Sequence, residues 1–417
     1  MTTREDAIAL DAADPLASYR DRFALPDDLN YLDGNSLGAL PRATSEWLAQ
    51  VVQREWGERL IRSWNEGWHE LPVRVGDLIG RYVLGAGAGQ VALADSTTVN
   101  FYKLLGAALD ARPGRSVIVS DPLNFPTDRY VVEGIARSRD LTVLPLAADP
   151  VLGVTPADVE AVVGPDTAVV TLSQVDYRSG ALADLHEITR IAHAAGALVL
   201  WDLCHSAGAV PIDLDAAGVD LAVGCTYKYL NGGPGAPAFL YVASRLQDEL
   251  TPPIWGWFGQ ADQFAMGPSF TPVAGIRRFL SGTPSILAGS AVEAGIELFA
   301  EAGIDRIRAK SVDLTSLAVS LYDEHLAALG FTLVTPRDAA ARGGHVSVSH
   351  PEAYRICKAL IELEDTVPDF REPDGLRLGF SPLTTRFVDV WDGIDSIRRI
   401  VEEKLYERVS SSRSAVT

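Results

Sequence analysis

Lys228 and Asp202 each stand where a short apolar run gives way to polar residues, and an amine and a carboxylate so placed suit covalent carbonyl chemistry. Lys228 closes the stretch Asp220-Leu-Ala-Val-Gly-Cys-Thr-Tyr-Lys228. Tyr-Leu-Asn-Gly-Gly-Pro-Gly235 follows, a glycine and proline cluster of the kind that ends strands. An ammonium just past a buried strand end loses hydration, which favours the neutral amine, and a neutral amine attacks carbonyl carbon. The widest use of that reaction is the Schiff base with pyridoxal phosphate. A surface lysine beside a glycine-rich turn fits the same residues, so this stretch alone leaves both open. Asp202 discriminates better. It ends the run Ala197-Leu-Val-Leu-Trp-Asp202 and precedes Leu-Cys-His205, which puts a carboxylate and an imidazole at a strand's carboxyl end. A buried carboxylate without a partner is costly, whereas one under a pyridine nitrogen keeps it protonated and keeps the ring an electron sink.

These residues need elements to aim them. The apolar run 91–94 leads into Asp95-Ser-Thr-Thr-Val-Asn100 and a helical run from 101 to 109, which places Ser96, Thr97 and Thr98 at a helix N-terminus. Free backbone N–H groups and hydroxyls there suit a phosphate, although plain N-capping needs one of those hydroxyls. A second unit, strand 116–120 and helix 129–138, carries Phe125-Pro-Thr-Asp128 in its loop, where an aromatic ring can lie on a cofactor. The strand 167–173 ends at Ser173, and a helix over 185–195 leads to the strand that ends at Asp202. Strands alternating with helices from 91 to 240 predict a mostly parallel sheet with helices on both faces, and the four strand ends agree on one crevice.

Upstream, residues 1–30 read as a polar helical arm, and Asp33-Gly-Asn-Ser-Leu-Gly38 as a turn whose Asn35 and Ser36 could also line a pocket. One helical pattern spans 44–68, with Trp64 and Trp68 at core spacing. Downstream, the segments 251–259 and 275–285 are irregular and rich in Trp, Gly and Pro. Helices are expected at 286–302, 305–329, 351–363 and 387–409, and strands at 331–335, 345–349 and 376–380, a smaller α/β layer. Arg377 lies on the last of these strands among apolar neighbours, either paired with an internal acid or gripping a substrate carboxylate.

The 417 residues carry 36 basic against 55 acidic side chains, net −19, a field that repels nucleic acid and anionic membranes. Three cysteines without metal spacing suit a reducing compartment, and no signal-peptide or membrane-length apolar run occurs, so the cytoplasm is expected. The organisation predicted is an N-terminal arm and helix over 1–65, a large domain over 66–300, a small α/β domain over 301–410 and a disordered tail over 411–417.

With these residues in place, the sequence resembles the kynureninase family, pyridoxal-phosphate enzymes of the fold type I aminotransferase superfamily, over nearly the whole chain. The matches are Leu-Asp-Gly-Asn-Ser-Leu-Gly (32–38), Thr-Thr-Val-Asn (97–100), Phe-Pro-Thr-Asp (125–128) and Trp-Asp-Leu-Cys-His-Ser-Ala-Gly (201–208). Further along they are Tyr-Lys-Tyr-Leu-Asn-Gly-Gly-Pro-Gly (227–235), Gly-Trp-Phe-Gly (256–259) and Arg-Leu-Gly-Phe-Ser-Pro-Leu (377–383). The resemblance implies that Lys228 carries pyridoxal phosphate, Asp202 pairs with its ring nitrogen and Phe125 stacks on the ring. It implies cofactor contacts for Thr97, Thr98, Pro126, Thr127, Asp128, Ser173, His205 and Tyr227. Trp257 and Thr283 would reach the phosphate of a neighbouring subunit, so a homodimer with shared sites is expected. Arg377 would take the substrate's α-carboxylate beside Asn35 and Ser36. The implied reaction is hydrolysis of L-kynurenine, or 3-hydroxykynurenine, to the anthranilate and L-alanine in tryptophan catabolism, with Tyr227 moving protons and no metal. Gln260 stands where the resemblance leads one to expect His in many relatives, and Thr283 where some members have Asn. An aminotransferase or a cysteine desulfurase is the alternative. A desulfurase needs a nucleophilic cysteine on a mobile C-terminal loop, yet 310–350 holds none and Cys357 falls in a predicted helix.

Overall fold

A computed structural model describes residues 2–412 of the chain. Met1 and residues 413–417, the greater part of the expected disordered tail, lie outside the described residues; Ser412 O accepts a hydrogen bond from the Tyr354 hydroxyl at 2.9 Å.

Seven strands form the main sheet, in the spatial order Val91–Ala94, Ala238–Val242, Leu221–Gly224, Leu198–Asp202, Thr167–Ser173, Val117–Ser120, Thr142–Pro145. The last five are mutually parallel; Ala238–Val242 runs against both of its neighbours. The reason is the connection. Residues 225–237 are too short and glycine-rich to build a crossover helix, so the chain returns antiparallel. Side chains alternate between two cores as the period of a strand requires. Val170, Leu172, Val199 and Trp201 pack with Ile188, Ile191 and Ala192 of the helix Leu185–Ala194, while Val169, Leu198 and Leu200 face Phe101 and Leu104 of the helix Thr97–Asp110.

Parallel order also explains convergence. Strands running one way present their carboxyl ends along one edge, and Val91–Ala94, antiparallel to an antiparallel strand, joins them. Ser173 and Asp202 are register partners on adjacent strands.

The smaller sheet is antiparallel, in the order Asp369–Arg371, Gly375–Gly379, His345–Ser349, Thr332–Leu333. A separate core over it unites Val346, Val348, Leu376 and Leu378 with Leu360, Ile394 and Ile397 of flanking helices, and includes Ala7 and Leu32 from the N-terminal arm. The helix Arg4–Ala13, closed by a Thr3 to Asp6 capping box, lies here. Its Asp11 accepts hydrogen bonds from Phe387 N (2.6 Å) and Val388 N (3.0 Å) at the start of the helix Phe387–Glu402, where the helix dipole favours an acid.

Several boundaries differ from the sequence expectations. The pattern over 44–68 is not one helix: Arg42–Gln50 is α-helical, the turns then loosen through Arg59, and Leu60 breaks them with a left-handed φ of 55°. The helix read from 129 begins at Pro126, where the missing N–H of proline costs nothing. The helix read to 409 ends at Glu402 before a short turn at Leu405–Arg408. The strand Asp369–Arg371 and the pairing of Asn30–Tyr31 with Thr366–Val367 had no sequence expectation, because two- and three-residue strands carry too little periodicity to read.

One buried ion pair ties the fold to the crevice. Lys103 is fully buried, with Nζ 2.7 Å from Asp95 Oδ2 and 2.6 Å from the Phe279 carbonyl, so it joins the turn at 95–98 to the loop at 279–285. Replacing Lys103 by Met leaves Asp95 without its cation. We expect a loss of about 1–3 kcal/mol, below the range for fully buried pairs because Asp95 is partly exposed. Urea unfolding at pH 7 checks it, and an unchanged midpoint would mean the pair is neutral for stability.

Candidate active site

A cavity of about 550 Å³ opens at the carboxyl edge of the main sheet. Lys228 lies four residues past the end of its strand at Gly224, so the side chain is delivered by a turn rather than by the strand itself. Gly38 N donates to Tyr227 O at 2.8 Å, and a Cβ at Gly38 would lie 2.2 Å from the Lys228 carbonyl; the turn at 33–38 is therefore packed directly on the lysine backbone. Lys228 Nζ is 3.3 and 3.4 Å from the two ring nitrogens of His205. Burial, then the charges of Lys228 and Arg377, hold His205 well below the usual histidine range, so it is a neutral ring with one acceptor nitrogen.

Beneath lie two carboxylates. Asp202 accepts from Cys204 N at 2.6 Å, and Asp128 accepts from Asn124 Nδ2 at 3.1 Å while its Oδ1 has no partner. Burial, and next the adjacent Asp202 charge, push the Asp128 carboxyl well above the usual range. Phe125 sits at the mouth, edge-on to Tyr177 with ring centroids 5.2 Å apart. On the far side, Ser96 caps the helix Thr97–Asp110 by accepting from Val99 N at 3.4 Å, which leaves the Thr97 and Thr98 hydroxyls at the cavity wall. Burial, with the Cys225 and Cys204 thiols, raises the Tyr227 phenol, which therefore stays protonated.

The cavity is lined by Ser36, Thr97, Thr98, Phe125, Thr127, Asp128, Ser173, Asp202, His205, Tyr227 and Lys228 among the residues read from the sequence. Other expected residues stand elsewhere. Pro126 is the first residue of its helix, and Asn35 is fully buried behind the wall, its amide nitrogen 3.1 Å from Asp33 Oδ1 and its oxygen 3.0 Å from Arg377 Nε. Arg377 is likewise behind the wall, paired with Asp369. Trp257 is on a surface groove with its indole N–H on Gln263 O at 3.0 Å, and Thr283 lines a small neighbouring pocket that shares Asp95 and Ser285 with the cavity. Gln260 accepts from Thr271 N at 2.6 Å and closes its own loop. Tyr177, Cys204 and Arg371 line the cavity without having been anticipated. For Tyr177, the rule that loops after strand ends bind ligands was the available signal; Arg371 had none, since its strand was unread.

Asp33, behind Asn35, gives a pH test. Burial and then the Asp369 charge push its carboxyl up to about 7, against the opposing pull of Arg377, Ser36 and Arg371. The unfolded value is about 3.9, so the folded protein holds the extra proton between these limits. This contribution to stability is complete below about pH 4 and is lost as pH rises through about 7. Asp33→Asn should flatten the decline, stabilising the protein at pH 8 by on the order of 1–3 kcal/mol and leaving pH 4–5 little changed. Parallel unfolding curves for both proteins across this range would refute the assignment.

The C-terminal part, residues 307–397, matches the family model described as the kynureninase C-terminal domain. The kynureninase of Burkholderia pseudomallei is 47% identical over the full length of both chains, and that of Pseudomonas fluorescens 46% over 97% of each. The chain belongs to the kynureninase family. Its fold is that of fold type I enzymes, α/β with a mostly parallel sheet. The apo cysteine desulfurase of Thermococcus onnurineus NA1 superposes with a TM-score of 0.81 at 19% identity, over 93% of this chain and 98% of that one. A cystine C–S lyase in complex with cysteine persulfide gives 0.79 at 18% identity, over 89% and 98%. Cys357 is buried within the helix Ala353–Glu364, and burial pushes its thiol up, away from a nucleophilic thiolate.

Proposed function

We propose that the chain hydrolyses L-kynurenine to anthranilate and L-alanine with pyridoxal phosphate. The carrying observation is that one cavity collects an amine, a buried carboxylate pair, an aromatic ring and a hydroxyl-rich helix start. The cavity suits that cofactor on its own terms. Asp128 and Asp202 are adjacent buried acids, and Asp128 Oδ1 is unpartnered; a protonated ring nitrogen would answer such a pair. The 95–98 turn at the start of a fourteen-residue helix suits a phosphate dianion. Lys228 would hold the cofactor, Asp202 its ring nitrogen and Phe125 its face, with Thr97, Thr98, Pro126, Thr127, Asp128, Ser173, His205 and Tyr227 around it.

The bound cofactor supplies an electron sink that stabilises negative charge next to the substrate's amine-bearing carbon. Lys228 takes the proton from the substrate's Cα, and neutral His205 accepts a hydrogen bond from its amine without competing for positive charge. Tyr227, a protonated phenol beside Lys228, returns a proton at Cβ when the Cβ–Cγ bond breaks. The oxygen of the added water ends in the anthranilate carboxylate. Arg377 belongs to the substrate's carboxylate end, with Asn35 and Ser36.

Trp257 and Thr283 do not line this chain's own cavity, which supports a homodimer in which each subunit completes the other's phosphate site. The division into an arm and helix over 1–65, a cofactor-binding domain over 66–300 and a small domain over 301–410 is proposed with it. A place in cytoplasmic tryptophan catabolism and NAD biosynthesis is proposed as well; among the described residues no helix is long and apolar enough to cross a membrane. Purified protein given pyridoxal phosphate and L-kynurenine should release fluorescent anthranilate and L-alanine in equal amounts. Formation of a 2-oxo acid instead would make it an aminotransferase.

A further inference from the structure

Two thiols meet at the cavity wall. Cys204 and Cys225 follow Asp202 and Val223 by two residues each, and Asp202 and Val223 are register partners on adjacent parallel strands. Neighbouring strands run about 4.8 Å apart, inside the Cα separation of about 4.4–6.8 Å that a disulfide spans. The side chains cross rather than diverge. Cys225 N donates to Cys204 Sγ at 3.2 Å, Cys225 Sγ donates to the Cys204 carbonyl at 3.8 Å, and the two thiols hydrogen-bond each other. Of the two, Cys204 reaches the cavity, where its Sγ is 3.9 Å from the Thr97 hydroxyl; Cys225 is 2% exposed behind it.

This position decides access. Cys204 stands between Asp202, whose Oδ1 accepts from Cys204 N at 2.6 Å, and the helix start at Thr97. A cofactor with its ring nitrogen at Asp202 and its phosphate at the 95–98 turn spans the same stretch of wall and covers the thiol. Without the cofactor, Cys204 faces an open cavity of about 550 Å³, which admits a small oxidant.

We propose that Cys204 and Cys225 are a modification site, oxidised to a disulfide by a hydroperoxide in the cofactor-free protein and shielded by bound pyridoxal phosphate. The shielding rests on the cofactor placement proposed above, and the disulfide rests on the thiol geometry alone. With hydrogen peroxide, Cys204 Sγ attacks one oxygen and the O–O bond breaks; the thiol proton leaves with the departing hydroxide as water. Cys225 Sγ then attacks the sulfenyl sulfur and the S–O bond breaks, so the second thiol proton leaves with that oxygen as another water. Each sulfur gives up one electron, and the peroxide takes both. A small dithiol reverses the bond by exchange.

The test treats full-length protein, with and without pyridoxal phosphate, with hydrogen peroxide, then denatures it and counts free thiols. Cofactor-free protein should fall from three thiols to one, with Cys357 left. Proteolysis should yield peptides joined through Cys204 and Cys225 that dithiothreitol separates. With free cofactor at about 100 times its Kd, about one site in a hundred is open, so oxidation should slow by about 100-fold. Cys225→Ser should leave Cys204 as a sulfenic acid that dimedone traps. Three thiols that survive peroxide, a disulfide that includes Cys357, or Cys204 carried to sulfinic acid while Cys225 stays reduced would overturn the proposal. Equal oxidation rates in protein whose visible absorbance shows bound cofactor would overturn the shielding. Failure of the cofactor reading would show separately, as wild type that acquires no such absorbance.

Discussion

Lys228→Ala is expected to lower turnover of L-kynurenine by at least about 10⁴-fold, because one side chain both holds the cofactor and moves the proton at Cα. The visible absorbance of the bound cofactor should disappear with it. The fold should survive, since Lys228 Nζ meets the two His205 nitrogens and lies over the Tyr227 ring at 6.0 Å, and none of these holds the sheet together. Circular dichroism and the urea midpoint of the variant check that point. A Lys228→Ala protein that kept both its absorbance and its turnover would remove the central assignment. Lys228→Arg separates charge from nucleophilicity: it keeps a cation beside His205 but cannot present a neutral amine, so it should be as inactive as the alanine variant.

Asp202→Asn is the second large effect, a fall in kcat of about 10²–10³-fold from loss of the negative charge that a protonated ring nitrogen requires. The substitution conserves shape, and its amide oxygen can still accept from Cys204 N at 2.6 Å, so the loss reports charge rather than packing. Asp128 supplies the internal comparison. Burial and next the Asp202 charge push its carboxyl up, toward the neutral form, so Asp128→Asn removes less negative charge than Asp202→Asn and should cost less. Were Asp128→Asn the more damaging, the roles of the two acids would be exchanged. Steady-state kinetics of both variants, with cofactor affinity measured by equilibrium dialysis, makes the comparison.

Much of this site was legible from sequence because its residues follow strands. A strand that is apolar throughout announces its own end, and Asp202, Ser173 and the 95–98 turn stand at ends of that kind. Phe125 was readable for the same reason, as an aromatic in the loop after Val117–Ser120. Arg371 was not. Its strand is three residues long, shorter than any periodicity, and it lines the cavity through antiparallel pairing with Gly375–Gly379, some 140 residues after Lys228 in the chain. Arg377 was legible as a residue in need of a carboxylate, but which carboxylate was not; the small sheet's register placed Asp369 opposite it.

The chain's own order of residues determined the α/β alternation, the two inward faces of each buried strand, the helix start at Thr97 and the family, because these depend on local patterns and on short motifs read in series. Tertiary structure alone decided which groups share a proton or a charge. Asp128 beside Asp202 joins segments far apart in sequence, while Asp369 between Arg371 and Arg377 and Lys103 with Asp95 lie within eight residues of each other but meet only through strand register and the turn into a helix. Electrostatic interaction depends on distance and burial in three dimensions, and neither quantity is encoded in any one stretch of the chain.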